Sequence, residues 1–167
     1  MIRDTGYERR GRRGQALLEA IIAGGVLTVG FLGLLALLAR SLSVNRVVAD
    51  NYVASYLAAE GIETVKNMID ANVLQHNAWN NGFRDGVYEV AYDSRSLTPS
   101  QGRFLSFDPA TNLYSYEGSR DTSYVRKIFV TLVGPDEMAV NSVVSWTSRG
   151  GGSSEINLED HFFNWRP

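Results

Sequence analysis

Few side chains in this sequence are placed to do chemistry. It holds two histidines, His76 and His161, and no cysteine. Disulfide scaffolds, thiolate zinc sites, iron–sulfur clusters and cysteine nucleophiles are therefore excluded, and little is left for an imidazole-rich metal site. Asp108, Asn112 and Asp121 offer oxygens but not at EF-hand spacing, and Asp108-Pro109-Ala110-Thr111-Asn112 reads as a turn. Asp160 and His161 are adjacent, yet no serine stands at a spacing that argues for a triad. Gly150-Gly151-Gly152 lies between strand-like runs and lacks the strand–glycine–helix setting of a phosphate loop. Trp79, Trp146 and Trp165 read as core or subunit packing rather than a stacking platform. Glu60 and Glu63 read as a solvated helix face, with Glu63 and Lys66 an i,i+3 pair. The expectation is a chain with no catalysis, no metal and no cofactor. One ionisable residue is out of place: Glu19, the single charge between Ala16 and Ala39.

The element that holds Glu19 is ALLEAIIAGGVLTVGFLGLLALLA, 24 residues that span ~36 Å as a helix at about 1.5 Å per residue. A bilayer core takes roughly 20 apolar residues, and a core helix of a soluble protein rarely stays apolar all round for this length. The run predicts a membrane anchor. Arg9, Arg10, Arg12 and Arg13 directly precede it, which keeps the N-terminus cytoplasmic and exports residues from about 40 onward. A secretory signal peptide has a shorter apolar region, roughly 7–15 residues, ending at a small-x-small site; Ala36-Leu37-Leu38-Ala39 offers none. Charge follows the same division. The whole chain carries −2, from 16 Lys+Arg and 18 Asp+Glu, so no basic footprint argues for nucleic acid. Residues 1–14 hold five arginines against Asp4 and Glu8, a net +3, which leaves −5 on the remainder.

A carboxylate in an apolar helix is costly, less so near the interface than at the bilayer centre. No basic side chain lies within reach of Glu19 on its own helix. Either it is a helix-end carboxylate, favoured by the macrodipole and wetted by headgroup water, or it has a partner elsewhere. The surrounding residues, Arg12-Arg13-Gly14-Gln15-Ala16-Leu17-Leu18-Glu19, resemble a type IV prepilin N-terminus: a basic leader closed by Gly, then Glu at the fifth position ahead of an apolar helix. Tyr56-Leu57-Ala58-Ala59-Glu60-Gly61-Ile62-Glu63-Thr64-Val65-Lys66 is similar to the second helical stretch of minor pilins and type II secretion pseudopilins. The resemblance covers about residues 9–70. It implies cleavage between Gly14 and Gln15 by an aspartic prepilin peptidase in the membrane, and N-methylation of the new amine on Gln15. It also implies pairing of that amine with Glu19 of a neighbouring subunit, so that Glu19 sets filament stagger rather than doing catalysis. The chain departs from major pilins in having Gln15 where Phe is usual, and in having no proline before Pro99.

Beyond Arg40, Val44, Val47, Ala54, Ala58, Ile62, Val65, Ile69 and Val73 recur at helical spacings, with Asn51 filling the one gap. Residues 16 to about 74 thus read as one helix, ~88 Å long by the same rise, its first half apolar all round and its second half amphipathic. Composition then changes: 14 of the 18 aromatics lie between Trp79 and Trp165, and Asn80-Asn81-Gly82 and Asp85-Gly86 are helix breakers. Period-two runs follow at Tyr88, Val90 and Tyr92, at Ile128, Val130 and Leu132, at Val140 to Trp146, and at Ile156 and Leu158. Phe104–Phe107 and Leu113–Tyr116 read as an outlying hairpin, and Gly134-Pro135-Asp136 and Gly150 to Ser154 as hairpin turns.

These elements predict an α+β protein in which a long N-terminal helix packs on a C-terminal antiparallel sheet of four or more strands, pilin-like in layout. The expected organisation is a cleaved leader at 1–14, a transmembrane and assembly helix at 15–39, and an exported head at 40–167. The resemblance implies a minor pilin-like structural subunit of a type IV pilus, held in the cytoplasmic membrane and then carried into an extracellular or periplasmic filament. Its implied partners are other pilin-like subunits, the prepilin peptidase and an inner-membrane assembly platform. A pseudopilin of a type II secretion or DNA-uptake machine is the alternative within that class. Outside it stands a single-pass anchored enzyme or binding domain in which Gly14 and Glu19 coincide by chance.

Overall fold

The structure, a computed structural model, describes residues 6–148 and 151–165, with side chains from residue 14 onward. The first five residues and the arginine side chains of the expected leader lie outside the described residues, as does Gly150 of the glycine turn. The chain divides into two compact units, residues 1–46 and 47–167.

Helix α1 (Gly6–Leu74) begins within the expected leader and belongs to both units. In the first unit its large apolar side chains, from Leu17 to Leu42, are all exposed. This stretch is long and apolar enough to cross a membrane, and none of it is buried within the protein. In the second unit the same helix becomes one-sided. Ala54, Leu57, Ala58, Gly61, Ile62, Val65, Met68 and Ile69 are buried, while Tyr52, Tyr56, Glu63 and Lys66 face out. The apolar stripe read from the sequence extends too far: Val44 and Val47 are about half exposed, at 54% and 52%. Coverage by the sheet starts near Asp50, whose carboxylate accepts a hydrogen bond from the Tyr124 hydroxyl at 3.3 Å.

The helix stops ahead of the Asn-Asn-Gly breaker. His76 adopts a left-handed backbone (φ 58°), its N–H donates to the Val73 carbonyl at 3.1 Å, and the Asn77 N–H donates to the Asn72 carbonyl at 2.9 Å. This pair of bonds is a Schellman cap, which satisfies carbonyls that the helix end would leave orphaned.

Among the described residues, seven strands form one antiparallel sheet: β1 (Gly86–Glu89), β2 (Thr98–Pro99), β3 (Phe104–Asp108), β4 (Leu113–Ser115), β5 (Arg120–Leu132), β6 (Glu137–Thr147) and β7 (Ser153–Phe163). β5 is the spine. It pairs with β6 from Val125 to Leu132, and it also carries β3 beside its first half and β1 beside its second. β6 in turn carries β7 over eleven residue pairs. The β3–β4 hairpin forms as expected but is not outlying, because β3 bonds directly to β5. A register shift between Phe104 and Ser106 frees the Leu105 carbonyl, which the Thr122 hydroxyl takes up. The first strand is shorter than the alternation at Tyr88, Val90 and Tyr92 predicts, ending at Glu89. The Val90 carbonyl leaves the ladder to accept from Arg126, as described below.

The core has two apolar clusters with a polar rung between them. Ala54, Leu57 and Ala58 of the helix pack with Leu105, Tyr124, Val144 and Trp146. One to four turns further on, Ile62, Val65, Met68 and Ile69 pack with Trp79, Phe83, Val90, Ile128, Val130, Met138 and Val140. Each fully buried side chain of this size contributes roughly 1.5–3 kcal/mol. At the intermediate position of each element stand Gly61 on α1, Arg126 on β5 and Ser142 on β6, all buried.

Candidate functional site

The residues singled out at the N-terminus all lie on α1 in the first unit. Gln15 and Glu19 are one turn apart, hence on one face, and both are exposed. Neither has a hydrogen bond or ion pair among the described residues. A side chain at Gly14, Gly24, Gly25, Gly30 or Gly33 would meet nothing within 4 Å. This face is therefore open to another molecule: a neutral amide, a carboxylate one turn on, and a continuous apolar surface beyond.

The head places its ionisable groups differently from the sequence reading. Glu60 is not simply a solvated helix residue: its carboxylate accepts from Arg126 Nη1 at 2.8 Å. Arg126 is wholly buried, and it also donates from Nη1 to the Leu57 carbonyl at 2.9 Å and from Nη2 to the Val90 carbonyl at 2.5 Å. One guanidinium thus ties the helix to the end of β1 from a position on β5. Such a buried cation is tolerable only when paired and hydrogen-bonded. Glu63, by contrast, forms the expected exposed pair with Lys66, at 3.4 Å.

A second buried charge sits at the end of β1. Glu89 accepts from the backbone N–H groups of Gln101 (2.7 Å) and Arg103 (3.1 Å), from the Ser100 hydroxyl (3.3 Å) and from Arg103 Nε (2.8 Å). Burial works to raise its carboxyl, but the bonds from Arg103 and Gln101 outweigh it and hold the group below the usual carboxylate value. The Arg103 guanidinium lies 4.3 Å from the centre of the Tyr116 ring, and burial pushes the Tyr116 hydroxyl up. Burial, followed by the Asp50 carboxylate, also raises the Tyr124 hydroxyl. These groups hold the loop at 100–103 and the helix on the sheet. The bonds of the set are structural: Glu60 and Glu89 are each engaged by an arginine, and Asp50 by the Tyr124 hydroxyl.

The sequence reading missed Arg126, Glu89 and Arg103. A signal existed for the first: Arg126 falls at period two with Tyr124, Ile128 and Val130, so a strand that buries those three must bury it too. Nothing local marks Glu89, whose partners are 11 to 14 residues away.

The remaining candidates separate. Asp160 bonds the backbone N–H of His161 at 2.9 Å rather than its ring. The ring bridges two other carboxylates on the exposed face of β6 and β7, Glu137 at 2.8 Å and Glu159 at 3.2 Å, and the bonds to these raise the His161 pKa. Asp108 closes its own turn, accepting from the Ala110 N–H (2.9 Å) and the Thr111 hydroxyl (3.1 Å), and Asn112 takes a left-handed backbone there. Trp79 and Trp146 fill different core clusters, whereas Trp165 is exposed. Among the described residues no group of three or more His, Asp or Glu is set to hold a metal ion. No protein-family profile, curated protein or solved structure matches this chain.

Proposed function

We propose that this chain is a structural, pilin-like subunit: a prepilin that is cut after Gly14, anchored by residues 15–39 and assembled through its N-terminal helix into a filament. One observation carries the reading. A single helix is exposed and apolar along residues 16–39 and then buried under a sheet from Ala54 to Ile69, with Gly14, Gln15 and Glu19 at its exposed start. An apolar helix surface of this length needs lipid at first, and the same surface can pack against identical or related helices once the subunit leaves the membrane. The basic leader sets the N-terminus on the cytoplasmic side of the inner membrane, with the head on the far side. In the filament, the new α-amine of Gln15 meets Glu19 of a neighbour, and an unpaired charge in that low-dielectric packing is costly enough to select one stagger.

The test is the mass of the protein isolated from cells that carry a prepilin peptidase. The expected product lacks residues 1–14 and carries one added methyl group on Gln15. Gly14→Leu leaves a full-length, membrane-held precursor. An intact N-terminus in the wild-type protein overturns the proposal and returns the chain to a single-pass anchored domain.

A further inference from the structure

A cavity of about 470 Å³ opens in the second unit beside the last turns of α1, within the roughly 300–1,000 Å³ range of small-molecule sites. Three segments enclose it: the end of the helix, the turn at 81–83 and the loop at 94–97. Each is held by bonds within the protein. Asn72 Nδ2 donates to the carbonyls of Trp79 (3.2 Å) and Asn81 (2.8 Å). The Ser94 hydroxyl accepts from the Ala91 N–H at 2.8 Å, and the Ser94 N–H returns a bond to the Ala91 carbonyl at 3.2 Å. The backbone of the walls is thus preformed, and the ordering that binding requires falls on the exposed side chains.

The lining selects a chemistry. Phe83 and Met68, both buried, supply an apolar floor. The lining also includes Asn67, Gln75, Ser96 and Arg95, all exposed at the surface, which bring two amides, a hydroxyl and a guanidinium to the site. Arg95 is the one charged residue of the lining, and it has no hydrogen bond or ion pair among the described residues. Amides present donors and an acceptor side by side, which suits hydroxyl groups, themselves both donor and acceptor. A free guanidinium fork takes a carboxylate with two parallel bonds. The apolar floor suits the C–H face of a saturated ring. The negative pole of the α1 dipole lies at this end of the helix and opposes any anion, so the lone arginine favours a monocarboxylate, which it neutralises, over phosphate, whose dianion it does not.

We propose that this cavity binds a sugar acid of the uronic class, free or as the end residue of an acidic polysaccharide, with Arg95 on its carboxylate, Asn67, Gln75 and Ser96 on its hydroxyls, and Phe83 and Met68 under its ring. The site lies wholly within the second unit and is independent of the pilin-like reading.

The experiment titrates the full-length protein in detergent micelles with glucuronate, glucose, oligogalacturonate and inorganic phosphate, by calorimetry and ligand-observed NMR. Saturable glucuronate binding is expected, with glucose at least about tenfold weaker. Arg95→Gln lowers glucuronate affinity about ten- to a hundredfold, the measure of a charge-assisted pair, and leaves glucose unchanged. Ser96→Trp, which fills the cavity from its rim, abolishes both, with the thermal melt of each variant unchanged. Oligogalacturonate separates the two sources: tighter binding than the monomer assigns the polysaccharide end, equal or weaker binding the free sugar acid, and both support the site. Any of four results overturns it: no saturable glucuronate binding, glucose bound as well as glucuronate, Arg95→Gln bound as tightly as wild type, or phosphate bound more tightly than glucuronate.

Discussion

Arg126 and Glu89 are opposite charges that the head buries separately, each with a more exposed partner, Glu60 and Arg103. Their energetics follow from what surrounds each group. Removing one partner of a buried pair typically costs about 3–5 kcal/mol, a large part of the roughly 5–15 kcal/mol that holds a domain folded, because the other charge is left without compensation. Glu89 also gives the head a pH dependence of definite sign. Its carboxyl ionises below the usual 4.5, so its stabilisation is complete above that value and is lost as the pH falls through the folded-state pKa. Glu89→Gln is expected to destabilise the head by about 1–3 kcal/mol at neutral pH, the worth of hydrogen bonds to a charged group. That difference should shrink steadily below pH 4.5. Thermal melts of the full chain in detergent across this range, read from the buried tryptophans, check it; a difference that does not change with pH would show that charge on Glu89 does not hold the 100–103 loop. His161 has the opposite sign. Its raised pKa places its stabilisation at low pH, lost as the pH rises through the folded value. The group is exposed, so solvent screens it.

At the scale of elements, the decisive contact is the approach of α1 to the β5–β6 pair at Gly61. A methyl group built there would lie 2.4 Å from the Ser142 hydroxyl, 2.9 Å from Ile128 Cδ1 and 3.2 Å from Arg126 Cδ. Glycine inside a helix costs about 0.8–1.0 kcal/mol relative to alanine. Here that cost is offset by an interface tight enough for Arg126 Nη1 to reach the Leu57 carbonyl. Gly61→Ala is therefore expected to destabilise the head by about 1–2 kcal/mol despite its better helix propensity, since overpacking a rigid interface costs about 1–3 kcal/mol. The Ser142 hydroxyl is buried with no hydrogen-bond partner among the described residues, so Ser142→Ala removes the nearest obstruction at little cost. A double-mutant cycle tests the contact: Gly61→Ala should cost less in the Ser142→Ala background than in the wild type. Equal costs would place the strain elsewhere along the helix.

For the molecule as a whole, the two units answer to different surroundings. The first is an exposed apolar helix, and the second buries its helix under a sheet. Glu19 has no hydrogen bond or ion pair among the described residues, and the proposed function gives it a role between molecules. Glu19→Ala is expected to leave the melting of the head unchanged and to ease membrane insertion, because an apolar residue replaces a costly carboxylate. Under the proposed function, what falls is entry into filaments. Expressed beside the pilins with which the proposal pairs it, the variant should be depleted from sheared surface filaments relative to the membrane pool, and equal incorporation would return Glu19 to a wetted helix-end carboxylate.

Two properties of this protein were legible along the chain because each depends on local periodicity alone. An apolar run of bilayer length and the amphipathic stretch after it specify the long helix, and period-two runs between turn residues specify the strands and the hairpin turns between them. Glu19 stands out along the chain for the same reason, as the single charge in a uniform apolar run, whereas the roles of Gly14 and Gln15 rest on the family resemblance. Other features needed the fold. Val44 and Val47 carry the same periodicity as Ala54 and Ile62, and only the reach of the sheet separates exposed from buried. Where the first strand ends was decided by Arg126, which draws off the Val90 carbonyl. The Glu60–Arg126 and Glu89–Arg103 pairs join residues 66 and 14 positions apart, and no spacing rule links such distant partners. The cavity at the helix end is of the same kind. Its amides and arginine come from three segments that are unremarkable one by one, and closure of the turn and loop against α1 is what makes them one surface.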